Sequence, residues 1–376
     1  MPFAHRVVFG HRLLEPVGGA EATPAARALR EALTLGEDRG SRGMVVFVDD
    51  GFAAAWPGFE AGLRDWVALQ LPGVELREVS RVAGGEPCKN DMAVVDRVIQ
   101  AVERHHIDRR SAVMAVGGGA VLDAVGLGAA MAHRGVRHIR VATTVLAQDD
   151  AAMGVKNGVN RFGKKNFVGS FSPPDAVLCD LAHTQTLPPR WQRAGLSEAV
   201  KIFALRDPKW FATMEATASA LRESEPSAME PVIIQSGMMH LDHIVRGGDP
   251  FERLAARPLD FGHWSAHRLE SMSEWTVPHG EAVAIGIALD CRYAQLSGLM
   301  SESASDRVVG LLRALELPTS HPLLRDADAV FASLGEFREH LGGELTITLL
   351  RDIGQPVEVH AMDSAILRRA IQSLGS

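Results

Sequence analysis

Residues Ala112–Gly126 read AVMAVGGGAVLDAVG, and this stretch decides the fold. A short apolar run, Ala112–Val116, has strand length. Three consecutive glycines, Gly117, Gly118 and Gly119, then make a turn, and Ala120–His133 continues with helical character. Glycines between a strand and a helix let backbone amides approach an anionic group, and the helix N-terminus adds a favourable dipole. A tight strand-to-helix turn with no ligand reads the same way, because the spacing is not GxGxxG. Asp123, early in the helix, either reaches a ribose or nicotinamide edge or merely complements the helix dipole.

Working outward, the same alternation recurs. Met44–Asp49 reads as a strand ending in an acid, Phe59–Leu71 as a helix and Glu75–Val79 as a strand. Asp91–His105 has apolar residues at helical spacing, and His138–Val141 is again a strand. Strands alternating with helices predict a parallel sheet covered on both faces. Candidate ligand positions are Asp49 and Thr143 with Thr144 at strand ends, and the Glu86/Lys89 pair, an acid and a base three apart after the Gly84-Gly85 turn. Each also has a plain reading as a solvated or turn residue. After Pro173-Pro174 the pattern changes to long amphipathic stretches at 193–205, 229–245, 263–273, 281–296 and 303–315. A strand pair is expected at 345–350 and 357–360.

Composition narrows the function classes. The chain has 376 residues, 39 of them Lys or Arg and 46 Asp or Glu, for a net charge of −7. That balance lacks the basic footprint of a nucleic-acid binder. Its 46% hydrophobic share and 23% charged share are those of a globular protein. The apolar stretch Ala112–Ala132 contains Asp123 and five glycines, so it reads as strand, loop and helix rather than a membrane span. The cysteines Cys88, Cys179 and Cys291 are widely spaced without a CxxC pair, as expected of reduced thiols in a cytoplasmic protein. No leader is expected from the charged start MPFAHRVVFG.

Two further segments carry chemistry. In the helical half, Glu198 sits in an apolar helix one turn from Lys201, and His263, His267 and His279 lie within one short region. A glutamate with two histidines is a donor set for a divalent metal, whereas Glu198–Lys201 also reads as an i, i+3 ion pair. The segment Gln148–Asn166 gathers Asp150, Lys156, Asn160, Lys165 and Asn166 into what reads as one polar loop, suited to a phosphorylated polyol. Arg134 can join it.

Together the motifs GEPCK, GGGAVLDAVG, HRG, ATTVLAQDD, KNGVNRFGKKN, AGLSEAVK, DFGHWSAHRLE and HGEAVAIG resemble the dehydroquinate synthase-like sugar phosphate cyclases from about Met44 to Gly354. The resemblance implies a Rossmann-like, NAD-binding α/β domain over 1–174. It implies a mostly α-helical, metal- and substrate-binding domain over 175–376, and a homodimer. It places NAD on Asp49, Glu86, Lys89, Gly117, Gly118, Gly119, Asp123, Thr143 and Thr144, and zinc or cobalt on Glu198, His263 and His279. Asp150, Lys156, Asn160, Lys165, Asn166, Lys201, Arg257 and His267 match substrate-contacting positions, with Arg134 near the phosphate. His267 is the expected proton shuttle. The family chemistry is transient oxidation by NAD, phosphate elimination, reduction and intramolecular aldol closure.

The chain departs from dehydroquinate synthases in places. Asp260 replaces an asparagine before the Phe-Gly-His motif, and Asp242 lies near the place of a carboxylate-binding lysine. Asn157 stands in Lys-Asn-Gly where Lys-Thr-Gly is usual, and His340 lies where paired lysines are expected. The two acids point to a substrate without a carboxylate: sedoheptulose 7-phosphate, closed to 2-epi-valiolone or 2-epi-5-epi-valiolone. Retention of His267 favours the 2-epi-valiolone branch. Dehydroquinate synthase and an NAD-dependent metal polyol dehydrogenase are the alternatives.

Overall fold

The structure, a computed structural model, describes residues 4–16, 22–34, 42–247, 251, 258–340 and 343–375; within these, the side chains of Pro258, Glu336, Glu339 and His340 are not described. The chain forms two compact units, residues 1–188 with Ile244–Arg246, and 189–243 with 247–376. The first unit therefore runs to Pro188 rather than ending at Pro174, because the strand after Pro173-Pro174 joins its sheet.

In chain order the first unit contains β1 (Val7–Gly10), α1 (Pro24–Ala32), β2 (Arg42–Asp49), α2 (Asp50–Ala55), α3 (Phe59–Gln70) and β3 (Val74–Val82). It continues with α4 (Ala93–Arg104), β4 (Ala112–Gly117), α5 (Gly119–Met131), β5 (Arg137–Ala142), β6 (Lys156–Arg161), β7 (Lys164–Phe171) and β8 (Ala176–Asp180). Six strands form one parallel sheet in the order β1-β8-β5-β4-β2-β3. β4 and β8 are buried along their whole length, as strands covered on both faces must be. On one side Val46, Val48, Met114, Val116, Ile139, Val141 and Leu178 pack with Leu29, Leu63 and Trp66 from α1 and α3. The chain leaves β2 for β3 in one direction and β4 for β5 in the other. The switch between adjacent β2 and β4 opens a crevice at the carboxyl ends of the strands.

Residues 156–171 differ from the polar loop expected there. They form the antiparallel hairpin β6–β7, registered Asn157 to Ser170 and Val159 to Val168. Asn157 and Asn160 face inward, 4% and 3% exposed, with their amides hydrogen-bonded, so polar composition hides the strand. Gln148–Asp150 lies in a π-helical turn, Ala147–Ala151.

The second unit is mostly helical: α6 (Pro189–Arg206), α7 (Pro208–Arg222), α8 (Pro226–Arg246), α9 (His263–Met272), α10 (His279–Leu296), α11 (Glu302–Ala314) and α12 (Ala327–His340). The hairpin β9 (Ile347–Asp352) and β10 (Gln355–Val359) follows, then α13 (Ser364–Leu374). Two glycines of α10 set its packing. A Cβ on Gly280 would stand 2.0 Å from the Ala194 carbonyl of α6, and one on Gly286 would stand 1.9 Å from the Gly262 carbonyl before α9. Only hydrogen at these positions lets α6, α9 and α10 converge. Among the described residues, no helix is long and apolar enough to cross a membrane.

Candidate functional site

In the first unit, the strand-end candidates gather at the carboxyl edge of the sheet. Asp49 ends β2, and its Oδ1 accepts from the Phe52 amide at 3.1 Å, capping α2. Burial raises its pKa. A Cβ on Gly84 would lie 2.2 Å from Asp49 Oδ2, so the glycine is what admits the carboxylate. Gly117, Gly118 and Gly119 end β4 and open α5; Cβ atoms there would press on Val121 and Asp49, on Thr144, and on Ala151 at 2.9 Å. Gly118 caps α5 without a side-chain hydrogen bond, and the first turn carries no acid. The first amides of α5 are thus left for an anion, and the site fits a pyrophosphate. Thr143 is buried, while Thr144 Oγ1 accepts from the Ala147 amide at 3.1 Å.

Glu86 and Lys89 occupy a single 3-10 turn, and Lys89 is 3% exposed. Its Nζ donates to Asp123 Oδ2 at 2.6 Å and to Asn166 Oδ1 at 2.5 Å. Burial opposes the charge, but Asp123 and Glu86 outweigh it and hold the ammonium above its usual range. Asn160 Nδ2 donates to Glu86 Oε1 at 2.8 Å and to Asn90 Oδ1 at 3.0 Å, and Asn160 Oδ1 accepts from the Asn166 amide at 2.9 Å. The polar network therefore joins Glu86, Lys89 and Asp123 to Asn160 and Asn166 of the hairpin. Lys156 is exposed at the start of β6, Lys165 and Asp150 are half-buried, and Arg134 is exposed beyond α5 with φ 62°.

In the second unit, Glu198, His263 and His279 come from α6 and from the starts of α9 and α10. One ligand atom of each lies within 4.8 Å of the others. Nε2 of His263 stands 3.5 Å from Glu198 Oε1, and Nε2 of His279 stands 3.7 Å from the same oxygen. Both Nδ1 atoms face acceptors: His263 the Phe261 carbonyl at 3.0 Å, His279 the Glu270 carboxylate at 3.1 Å. An acceptor at Nδ1 keeps the proton there and leaves the Nε2 lone pair for a cation. The donor set fits a divalent metal. Glu198 also pairs with Lys201, so the ion-pair and metal readings hold together; both side chains are nearly fully buried. His267 stacks on His279 with ring centroids 5.9 Å apart and meets His263 edge-on at 5.6 Å.

Sequence reasoning missed two supporting acids. Glu270, 1% exposed, lies seven residues after His263 on the same helix face. Asp290, fully buried in α10, accepts from the Gly262 amide at 2.9 Å and from Trp264 Nε1 at 2.8 Å, bracketing His263. Burial pushes its carboxyl up to about 7 against those two hydrogen bonds. Lone acids in apolar helices were the available signal. Asp260 and Asp242 are half-buried, Asp260 ending the 3-10 turn just before the helix that begins with His263. Arg257 and the His340 side chain lie outside the described residues. Asn157, the unusual residue of the Lys-Asn-Gly segment, points into the first unit's core.

The family patterns described as 3-dehydroquinate synthase N-terminal and C-terminal match residues 79–194 and 195–336. A 3-dehydroquinate synthase of Halorhodospira halophila is 36% identical over 291 residues, 77% of this chain and 80% of that protein. A 2-epi-valiolone synthase of Actinosynnema mirum is 34% identical over 297 residues, 78% of this chain and 77% of that protein. The structure of ValA, a 2-epi-5-epi-valiolone synthase from Streptomyces hygroscopicus subsp. jinggangensis solved with NAD+ and Zn2+ bound, superposes with a TM-score of 0.87. The match has 28% identity and covers 100% of this chain and 98% of ValA. With both family patterns matched over residues 79–336 and the fold superposing along the whole chain, the chain belongs to the dehydroquinate synthase-like family of sugar phosphate cyclases.

Proposed function

We propose that the chain converts sedoheptulose 7-phosphate to a valiolone-type C7 cyclitol, 2-epi-valiolone or 2-epi-5-epi-valiolone, with release of phosphate. NAD on Asp49, Glu86, Lys89, Gly117–Gly119, Asp123, Thr143 and Thr144 would supply a reversible hydride acceptor, and zinc or cobalt on Glu198, His263 and His279 would polarise a hydroxyl. The first unit's cations, Lys156 and Lys165 with Arg134, suit the phosphate, and the amides of Asn160 and Asn166 suit hydroxyls. Asp150 and Lys201 hold further hydroxyl contacts. His267, beside both histidine ligands, is the group to move the proton whose loss starts phosphate elimination. The protein would work in the cytoplasm as a homodimer.

One observation carries the substrate assignment. An acid, Asp260, occupies the turn directly before His263, where dehydroquinate synthases carry a neutral asparagine, and Asp242 supplies a second half-buried acid in the same unit. A carboxylate about 4 Å from such an acid would meet a repulsion of about 4 kcal/mol at an effective dielectric near 20. A hydroxyl would instead donate to it. Dehydroquinate synthesis is the second reading, favoured by the 36% identity to a 3-dehydroquinate synthase.

The test is incubation with NAD and zinc plus either sedoheptulose 7-phosphate or the carboxylated heptulosonate 7-phosphate. Phosphate release is followed and the product identified by NMR. Release from sedoheptulose 7-phosphate without net NADH supports the reading. Turnover of the carboxylated sugar alone overturns it, and NADH accumulation would mark a polyol dehydrogenase.

A further inference from the structure

Arg140 on β5 is fully buried, and its guanidinium is spent on one short segment. Nη1 donates to the carbonyls of Ala151, Ala152 and Gly154 at 3.2, 3.2 and 2.8 Å. Nη2 donates to the Lys156 carbonyl at 2.7 Å and to Asn157 Oδ1 at 2.9 Å. These five acceptors are four main-chain carbonyls and an amide, none of them a carboxylate. A rigid planar fork can collect such a set where the point charge of a lysine cannot.

Asn157 completes the arrangement. Its Nδ2 donates to the Ser172 carbonyl at 3.0 Å, which ties the start of β6 to the chain leaving β7. It reaches inward only because α5 has a glycine opposite, where a Cβ on Gly126 would stand 1.9 Å from Asn157 Oδ1. Successive residues of a strand face opposite sides. With Asn157 fixed inward, Lys156 is turned outward, and it is exposed.

We infer that Arg140 and Asn157 are positioning residues: they lock residues 151–157 so that Asp150 at one end and Lys156 at the other are held in place for substrate. The inference rests on the proposed function for what is bound, and on geometry alone for what is held. It also assigns the departure from Lys-Thr-Gly to scaffold rather than to substrate choice.

The experiment compares the full-length protein with Arg140→Lys, Arg140→Met and Asn157→Ala. Amide exchange of 151–157 and of β4 is measured with NAD affinity and the kinetics of phosphate release. In Arg140→Met and Asn157→Ala, exchange at 151–157 should rise at least tenfold with β4 unchanged. KM should rise more than kcat falls, kcat/KM should drop at least tenfold, and NAD affinity should stay within twofold. Arg140→Lys should recover part of the protection and part of the KM. Unchanged exchange in Asn157→Ala overturns the inference even if Arg140→Met fails to fold. Loosened exchange with unchanged kcat/KM overturns it too. If the unsubstituted protein turns over neither sugar phosphate, the functional reading fails instead, and exchange alone decides whether the lock exists.

Discussion

At the residue scale, the fitness of the Glu198, His263 and His279 cluster for a metal depends on which nitrogen of each histidine carries a proton. Glu270 accepts from Nδ1 of His279, and the Phe261 carbonyl accepts from Nδ1 of His263. Replacing Glu270 by glutamine keeps the size but removes the anion that fixes the ring through its Nδ1–H. Zinc affinity should fall about 10- to 100-fold with the circular dichroism spectrum unchanged, as read by competition with a chromophoric chelator. Equal affinity would mean that His279 is oriented by its helix alone. Asp260 has a different effect, on substrate rather than metal. Asp260→Asn should raise kcat/KM for heptulosonate 7-phosphate relative to sedoheptulose 7-phosphate by at least about tenfold, the equivalent of 1.4 kcal/mol. No change in that ratio would place the acid away from the sugar's far end. The cluster itself was legible in the sequence because glutamate and histidine are unusual in apolar helices. Glu270 and Asp290 went unread because a single buried acid has no spacing partner to mark it.

At the element scale, α10 is the keystone of the second unit, and its glycines give the HGEAVAIG segment a packing role beside the one His279 has in the cluster. Gly280 and Gly286 admit the carbonyls of Ala194 and Gly262, so the helix carrying His279 lies against those that carry Glu198 and His263. Gly286→Ala would drive a methyl into a main-chain carbonyl, which cannot rotate away as a side chain does. It should cost about 1–3 kcal/mol of stability and weaken zinc binding as well. A variant that is destabilised but binds zinc normally would show that α9 shifts without moving His263. Most elements of both units could be anticipated, because β-branched runs and apolar residues at helical spacing announce them. The β6–β7 hairpin could not, since its inward positions include Asn157 and Asn160. A buried amide is indistinguishable from a solvated one until its partners are known. The same blindness displaced the boundary from Pro188 to Pro174: a double proline marks a break in regular structure, not the end of a sheet.

At the scale of the whole molecule, buried titratable groups in the two units respond to pH with opposite signs. In the first unit, burial holds His138 well below its ordinary pKa, and the nearby Arg140 charge adds to this; burial also lowers His183. His138 is thereby kept neutral when folded but takes up a proton when unfolded below about pH 6.5, and His183 is shifted in the same direction. The stability that depends on the neutral rings is present above that pH and is lost as the pH falls below it. Asp290 in the second unit runs the other way. Its folded pKa of about 7 lies above the unfolded value, so its contribution is present at low pH and is lost as the pH rises through about 7. Chelator-treated protein should therefore lose urea resistance in the first unit between pH 7 and 5.5, and gain it locally around α10. Neither ring nitrogen of His138 has a hydrogen-bond partner among the described residues. His138→Leu should therefore remove one proton's worth of the acid slope without costing stability at pH 7.5. The check is the urea midpoint of this variant and of the parent chain at pH 5.5 and 7.5, followed by exchange at β5 for the first unit. If the variant loses as much between the two pH values as the parent, His138 is protonated in the folded chain and the acid sensitivity belongs to His183 and its aromatic surroundings.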